Sequence, residues 1–399
     1  MRPAVRTVVV ALLTLIVPAG LPPAAAAAGA EQVAPGVEYR AFTVPTSHGS
    51  ARVHLLTVDL RHGRARAGLL FPGTVTARQP VSEMALAQGA VAAVNGDFFD
   101  ISEAQHPGVQ ATGATSGPAI ADGLALKAAV PQAQRFGSTP APGDSAEDVF
   151  GVGTDGQART GRLSLRGHLA SPGADLPLKG LNQYALPVGS VGVFTPGWGE
   201  ASRARAACGN DDDRAAPCTR DVYEVTVRHG RVEAVSDTPG SGAIPAGSVV
   251  LLGREAGARA LRELTPGTPA EVGYRLDADG GVPFAFALGA HPLLREGRPV
   301  PALEAVTAEP RTAVGIAGGG QLLSLLSTDG REGTSSGLTV AELADVLADV
   351  GCQEGAYLDG GASVTLVTRD HATGAVNVRN NLGGAQERAV PNGIAVYSP

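Results

Sequence analysis

Apolar and polar residues alternate along residues 37–72, and this pattern predicts a series of strands separated by tight turns. A short apolar helix is expected over residues 82–89, ending at a glycine. It leads into residues 91–94, a continuous apolar run typical of a strand that is buried on both faces. The turn Asn95-Gly96-Asp97 follows, so Asp97 is expected at the end of a central strand.

A second unit of the same plan lies near the C-terminus. Thr339 and Glu342 have the spacing of a capping box, which predicts a helix beginning at Thr339. Apolar residues at i, i+3, i+4 and i+7 continue from Leu343, and Gly351 is expected to end the helix. The following strand turns at Asp359. Twice, therefore, a helix leads into a buried strand whose end presents an aspartate beside glycine, and ligands often bind at such ends.

Three further segments predict hairpins: residues 148–165, 224–235 and 311–328. The first contains G-x-G-x-x-G, but a dinucleotide site requires a helix after the glycines, and here the strand pattern continues. No phosphate-binding P-loop is present, because neither lysine follows a glycine. Together these patterns predict an α+β fold, with a mixed, strand-rich sheet core and a few flanking helices, in a single large domain over residues 29–399.

Composition agrees with many strands and turns, since 54 glycines and 29 prolines occur among 399 residues. The formal net charge is −7 and no basic block occurs, which argues against a nucleic-acid partner. Of the 31 basic residues only Lys127 and Lys179 are lysines. A codon bias would explain this ratio, but any bound anion must be held by a few local arginines.

The N-terminus has the features of a secretory signal peptide. Arg2 and Arg6 precede an apolar run, and the alanine-rich residues 24–28 supply a cleavage site near Ala28. The run is too short to span a bilayer, which needs about 20 residues. Residues 1–28 are therefore predicted to be removed from a protein that is secreted or associated with the cell wall, with no membrane span.

The cysteines are interpreted for an oxidising compartment. Cys208 and Cys218 bracket a short polar loop and are expected to form a disulfide that closes a surface excursion over residues 205–220. Cys352 is interpreted as a small buried thiol rather than a nucleophile. Neither C-x-x-C nor H-E-x-x-H occurs, and Asp211, Asp212 and Asp213 form no EF-hand loop, so no metal site and no cofactor are predicted.

The motifs occur in a recognisable order. They are VNGDFFD, RTAVGI, TDGR, LDGGAS and NNLGGAQERAVPNGIAV, and between them lie NQYALPVGSVGVFTPGWG and FALGAHPLL. In order and spacing this series resembles the phosphodiester glycosidase domain family, over roughly residues 35–397. The resemblance implies cleavage of the bond between the anomeric carbon of a sugar and a phosphodiester oxygen, which releases a sugar and a phosphomonoester.

The residues in these motifs suit that chemistry. Glycosidic cleavage usually employs two carboxylates, and Asp97, Asp329 and Asp359 supply candidates, with Asp359 expected to be the acid or the nucleophile. Planar guanidinium groups bind a phosphodiester well. The candidate substrate-binding residues are Asn95, Arg311, Arg331, Gly360, Gly361, Ser363, Asn380 and Arg388. Glu387 is a candidate for orienting Arg388, and Trp198, in a glycine-rich turn, for stacking on a sugar.

Two alternatives stay open at this point. One is a non-catalytic protein that binds cell-wall glycans through the same pocket, and the other is a metal-dependent phosphodiesterase that cleaves the P–O bond. The partner in the favoured hypothesis is a sugar phosphodiester or a phosphate-containing glycan. The substrate sugar, the stereochemical outcome and the oligomeric state do not follow from the sequence.

Overall fold

The computed structural model describes residues 29–399 apart from 138–140, 173 and 331–334, and it describes no side chain for His62 or Ala174. Two expectations from the sequence, the signal peptide over residues 1–28 and the role of Arg331, therefore lie outside the described residues.

Strands make up most of the regular structure. In chain order they are β1 Glu31–Ala34, β2 Val37–Thr46, β3 Gly49–Asp59, β4 Arg66–Leu70, β5 Ala92–Asn95, β6 Ala119–Ala121, β7 Leu124–Lys127, β8 Asp148–Gly153, β9 Ala158–Ser171, β10 Ala174–Leu181, β11 Val191–Phe194, β12 Val222–Arg228, β13 Arg231–Ser236, β14 Ser248–Arg254, β15 Glu271–Ala278, β16 Phe284–Gly289, β17 His291–Arg295, β18 Arg298–Pro299, β19 Thr312–Ala317, β20 Leu322–Thr328, β21 Glu354–Tyr357, β22 Leu366–Arg369, β23 Val376–Val378 and β24 Gly393–Tyr397.

Helices are few and short in the described part of the chain: α1 Val81–Ala87, α2 Ala256–Leu261 and α3 Val340–Asp349. The strand-rich core that the sequence predicts is confirmed, but so little helix makes the fold mostly β rather than a balanced α+β fold. None of the helices in the described residues is long and apolar enough to cross a membrane.

Helix α3 begins as its capping box predicts. The Thr339 hydroxyl accepts a hydrogen bond from the Glu342 amide at 3.1 Å, and the Glu342 carboxylate accepts one from the Thr339 amide at 2.9 Å. Gly351, with φ of 90°, follows the last turn in the left-handed region. The chain then enters β21, so the helix fixes the approach to Asp359.

The strands form three sheets. The first has the order β1-β2-β3-β20-β19-β21-β17-β18, the second β13-β12-β14-β11-β10-β9-β8-β16-β6-β7 with β15 beside β9, and the third β23-β22-β5-β24-β4. The three predicted hairpins are confirmed as the antiparallel pairs β8–β9, β12–β13 and β19–β20. The predicted central position of β5 is confirmed too, since β22 and β24 flank it.

One apolar core joins the three sheets. It takes side chains from the inner face of each, including Leu56, Leu325, Val94, Ile394, Phe150 and Leu288, all of which are fully buried. Burial of such side chains contributes about 1.5–3 kcal/mol each. Because the sheets share this core, the ends of strands from different sheets are held at fixed positions relative to one another.

The cysteines lie as expected. Cys208 and Cys218 form a disulfide that closes the polar loop. Cys352 is buried, and burial raises the pKa of its thiol. A thiol in that state is a packing residue rather than a nucleophile.

Candidate active site

Two turns from different sheets meet at the site. The Asn95 side-chain amide, at the end of β5, donates a hydrogen bond to the main-chain carbonyl of Asp359 at 2.8 Å. The Asp359 amide donates to the carbonyl of Gly96, also at 2.8 Å. The two strand ends singled out in the sequence are therefore brought together, and with them Asp97 and Asp359.

Asn95 acts within the protein rather than toward a ligand. It has no exposed surface, and its side-chain oxygen accepts from the Thr312 hydroxyl at 2.6 Å and from the Thr365 amide at 3.2 Å. All three neighbours belong to segments that border the site. The sequence predicted that Asn95 binds substrate, whereas in the structure its side chain holds these segments together.

Asp359 is the partly exposed acid of this pair. Burial raises the pKa of its carboxyl to about 7, and the negative charge of Asp97 acts in the same direction. A hydrogen bond from Ser363 and the positive charge of Arg388 oppose this rise. Arg388 also donates to the Ser363 hydroxyl at 3.3 Å. Asp359, Ser363 and Arg388, predicted separately, thus form one cluster.

Gly360 and Gly361 bring the backbone close to the neighbouring loop. A Cβ on Gly360 would lie 2.9 Å from the Pro310 carbonyl oxygen, and Gly361 has φ of 60°. The Gly361 amide donates to the Pro310 carbonyl at 2.8 Å. A side chain at Gly360 would push the two loops apart, and one at Gly361 would strain the left-handed backbone.

A cleft of about 340 Å³ opens beside this turn. Its lining is largely backbone and small or amide side chains, including Glu309, Gly330, Gly361, Asn380, Asn381 and Leu382. Such a lining presents hydrogen-bonding groups with little apolar surface, which suits a polar ligand such as a sugar. Of the predicted residues, Gly361 and Asn380 border it directly.

Asp97 lies deeper than Asp359 and is 3% exposed. Its carboxylate accepts from the Gly117 amide at 2.7 Å, and its own amide donates to the Asn392 side chain at 2.9 Å. Burial raises the pKa of Asp97 to about 6, against the Gly117 hydrogen bond and the positive charges of Lys127 and Arg135. The two acids therefore differ in environment: Asp97 is buried beside Gly117 and near two cations, and Asp359 is partly exposed beside Ser363 and Arg388.

Asp329 follows β20 and lies next to Gly330, which lines the cleft. β19 runs antiparallel to both β20 and β21, so the ends of β20 and β21 lie beside the start of β19, at one edge of the sheet. The Asp329 carboxylate accepts from His54 Nε2 and from the Asn381 amide, each at 2.7 Å. Burial opposes ionisation of Asp329, but these hydrogen bonds and the charge of Arg52 hold its pKa below the usual value.

His54 links Asp329 to a tyrosine. Its Nδ1 lies 2.7 Å from the Tyr39 hydroxyl, while Nε2 faces Asp329. His54 was not among the predicted site residues, because it occupies an ordinary position in a predicted strand, now β3. Little in the sequence indicated its role, because a histidine in an alternating strand is usually a packing residue. Only the pairing of β3 with β20 brings His54 to Asp329.

Arg311 is buried at the start of β19, and its guanidinium contacts protein groups. It forms an ion pair with Glu309 at 2.8 Å and donates to the carbonyls of Leu338 at 3.0 Å and Thr307 at 2.9 Å. These contacts fix the loop that carries Pro310 against Gly360. The structure therefore gives the Arg311 guanidinium protein partners where the sequence suggested contact with a phosphate.

Asn380 and Glu387 are also held by protein partners. The Asn380 side chain accepts from the Leu366 amide at 2.8 Å and donates to the Val364 carbonyl at 3.0 Å, so it supports the segment after Ser363. Glu387 accepts from the amide and hydroxyl of Ser82 at 2.8 and 2.6 Å, at the first turn of α1. Glu387 thereby anchors the loop that carries Arg388.

Trp198 does not form a sugar platform, contrary to the expectation from its glycine-rich turn. Its side chain has no exposed surface, its ring packs edge-on against Phe194 at 5.0 Å, and its indole N–H donates to the Ala201 carbonyl at 2.8 Å. The glycine-rich segment does form a turn, as predicted, but tertiary packing places the Trp198 ring in the core.

One group of metal-binding residue types occurs in the described part of the chain. His106, Cys208 and Cys218 place their ligand atoms within 4.8 Å of one another. Both sulfurs are bonded to each other in the disulfide, and His106 Nδ1 contacts Glu103 at 2.5 Å. The group therefore offers no thiolate ligands.

Comparison with solved structures shows that the fold recurs. A hypothetical protein from Synechocystis superposes with a TM-score of 0.69 at 20% identity, over 91% of this chain and 62% of that protein. A protein from Burkholderia pseudomallei, described as exported, gives 0.66 at 23% identity, over 87% of this chain and 74% of that protein. The present chain thus spans less than two thirds of the Synechocystis protein.

A third solved structure overlaps more loosely. The catalytic domain of zebrafish N-acetylglucosamine-1-phosphodiester alpha-N-acetylglucosaminidase gives a TM-score of 0.44 at 15% identity, over 94% of this chain and 87% of that domain. No curated protein sequence matches the chain.

The family comparison bears directly on the site. The model of the phosphodiester glycosidase family matches residues 221–397, a range that contains Asp329, Asp359, Ser363 and Arg388 but not Asp97. The resemblance seen in the motifs is confirmed over residues 221–397, the part of the chain that matches the phosphodiester glycosidase model.

Proposed function

We propose that this protein is a secreted hydrolase of sugar 1-phosphodiesters. In the reaction the bond between the anomeric carbon and the phosphodiester oxygen breaks, water supplies the hydroxyl on carbon, and a phosphomonoester leaves. The observation that carries the proposal is the cluster of Asp359, Ser363 and Arg388 beside the cleft, within the matched domain. Export is supported by the disulfide, which is typical of oxidising compartments.

The proposed roles follow from the environments of the two acids. With a pKa of about 7, Asp359 is protonated in a large fraction of the molecules at neutral pH. It can then donate this proton to the departing phosphate oxygen. Asp97 accepts a hydrogen bond from the Gly117 amide and lies near the positive charges of Lys127 and Arg135, which favour its ionised form, and it is proposed as the second carboxylate. Pairs of acids held at different pKa values are a recurrent arrangement in glycosidic cleavage.

Arg388 is proposed to bind the phosphate. It is partly exposed and donates to Ser363, so its guanidinium lies close to the acid and still reaches solvent. A phosphate is already a good leaving group, and a fixed cation that neutralises it in the transition state contributes more than full protonation would. The amide-rich and glycine-rich lining of the cleft is proposed to hold the sugar.

The proposal is tested by turnover of a synthetic sugar phosphodiester. Asp359→Asn is expected to reduce kcat by at least about a hundredfold, because general acid catalysis typically contributes that much. Asp345→Asn, at an exposed position on α3, is the matched control and should retain full activity. Full activity in Asp359→Asn would contradict the assignment, and binding of a phosphate-containing glycan without turnover by the wild type would favour a glycan-binding protein.

A further inference from the structure

Lys127 is a buried cation that the proposed reaction does not use. It is 0% exposed, at the end of β7, and its ammonium donates to three carbonyls: Ser116 at 3.3 Å, Gly117 at 2.9 Å and Ala128 at 2.7 Å. An ammonium has three donors, so this cage accounts for all of them. In a chain with 29 arginines, a lysine here suits the cage, since a planar guanidinium would not fit three converging carbonyls.

The cage leads directly to Asp97. The peptide group between Ser116 and Gly117 accepts from Lys127 through its carbonyl and donates to the Asp97 carboxylate through its N–H, at 2.7 Å. A cation at the carbonyl end polarises the peptide and strengthens the N–H as a donor. One peptide group therefore connects the buried cation to the buried acid.

The packing around Asp97 makes this connection rigid. A Cβ on Gly117 would lie 2.5 Å from the Cα of Gly289, and a Cβ on Gly289 would lie 2.4 Å from the Asp97 carboxylate. The carboxylate thus fits tightly against two glycines. The Ser116 hydroxyl fixes the other side of the peptide, through contacts with the Tyr184 hydroxyl at 3.0 Å and the Phe136 amide at 3.1 Å.

We propose that Lys127 is a positioning residue that keeps Asp97 ionised and oriented through the Ser116–Gly117 peptide. This inference rests on the proposed function, in which Asp97 is the second carboxylate. The charged groups that act on Asp97 are Lys127 from β7, Arg135 after the turn at Gln132–Gln134, and Asp359 after β21. Lys127 and Arg135 favour the ionised form of Asp97, and Asp359 opposes it.

The charge coupling is mutual. Burial lowers the pKa of Lys127 to about 7, and the negative charge of Asp97 works against this fall. The positive charge of Lys127 in turn lowers the pKa of Asp97. Loss of the Lys127 charge must therefore raise the pKa of Asp97, and the acidic limb of a pH–rate profile that requires ionised Asp97 must move to higher pH.

The first test compares Lys127→Met with the wild type and with Asp97→Asn. Lys127→Met is expected to lower kcat about tenfold or more at pH 6, to change KM less, and to shift the acidic limb upward. In the Asp97→Asn background the same change should produce no further shift. A Lys127→Met protein that is less stable but keeps the wild-type pH profile would overturn the proposal, since a purely structural lysine affects only folding.

The second test needs no variant and no turnover. In the wild-type protein, nuclear magnetic resonance can follow the Asp97 carboxyl carbon, the Gly117 amide nitrogen and the Lys127 Nζ during a pH titration. The proposal predicts that all three respond at the pH where Asp97 ionises. A Gly117 amide and a Lys127 ammonium that do not respond there would contradict it, whether or not a sugar phosphodiester is the substrate.

Discussion

The side-chain amide of Asn95 donates to the main-chain carbonyl of Asp359 at 2.8 Å, and this hydrogen bond joins a strand of the five-stranded sheet to one of the eight-stranded sheet. The same asparagine also accepts from Thr312 and Thr365. A buried residue outside the cleft thus fixes the position of the acid beside it.

Asn95→Ala should separate the two turns. The substitution leaves three buried polar partners without Asn95, and it is expected to cost on the order of 3 kcal/mol of stability, since each unsatisfied group costs about 1–3 kcal/mol. Turnover should fall as well. Denaturant unfolding measures the first effect, with Asn377→Ala, at an exposed position in β23, as control. Equal denaturant midpoints of unfolding for Asn95→Ala and the wild type would show that Asn95 does not link the two turns.

Asp359→Asn should stabilise the protein at high pH. A carboxyl whose pKa is raised from 3.8 to about 7 in the fold holds its proton in the folded state but not in the unfolded state between these values. Stability contributed by this group therefore falls as pH rises through that window. The variant should have a higher Tm than the wild type at pH 8 and an equal Tm near pH 3. An equal Tm at both pH values would mean that the pKa of Asp359 is not raised.

His54→Leu should change the stability with the opposite dependence on pH, destabilising the protein more at neutral pH than in acid. The lowered pKa of Asp329 contributes stability that is present above the unfolded-state pKa and is lost as pH falls through the folded-state value. Removing the His54 hydrogen bond should cost about 1–3 kcal/mol at neutral pH and less in acid. Urea unfolding at pH 7 and at pH 3 gives the comparison, and His371→Leu, at an exposed position, is the control. A loss that is the same at both pH values would assign His54 to packing alone.

Gly289→Ala should disturb Asp97 without any change in charge. The added Cβ would lie 2.4 Å from the Asp97 carboxylate, so that side chain must move. A fall in kcat of about tenfold or more is expected, with a cost of about 1–3 kcal/mol in stability. Gly280→Ala is the matched control, because a Cβ there has no atom within 4 Å. Unchanged turnover in Gly289→Ala would argue against a catalytic role for Asp97.

Local sequence patterns predicted much of the fold. The capping box of α3, the three hairpins and the buried strand β5 each depend on residues that are close in the chain, and each is confirmed. The sheet partners of β5 were not predictable in this way. Val94 pairs with Leu366 and Ile394, more than 270 residues away, and such pairings follow from the shared core rather than from any local pattern.

The residues of the site likewise fall into those that local motifs predicted and those that only the tertiary structure shows. Asp359, Ser363 and Arg388 lie in motifs that suit their chemistry, and the structure brings them together. Asn95 has a role that its motif did not reveal, because a turn asparagine looks the same whether it faces solvent or the interior. Lys127 left no motif, since three backbone carbonyls form its cage and backbone groups carry no sequence signal.

The most direct measurement locates the bond that is cleaved. A sugar phosphodiester is hydrolysed in water enriched in oxygen-18, with and without a chelator, and both products are examined by mass spectrometry. Cleavage at the anomeric carbon predicts free sugar that carries the label, an unlabelled phosphomonoester and no effect of the chelator. Label in the phosphate, with a sugar phosphate as product and inhibition by the chelator, would contradict a glycosidase and indicate metal-dependent cleavage of the P–O bond.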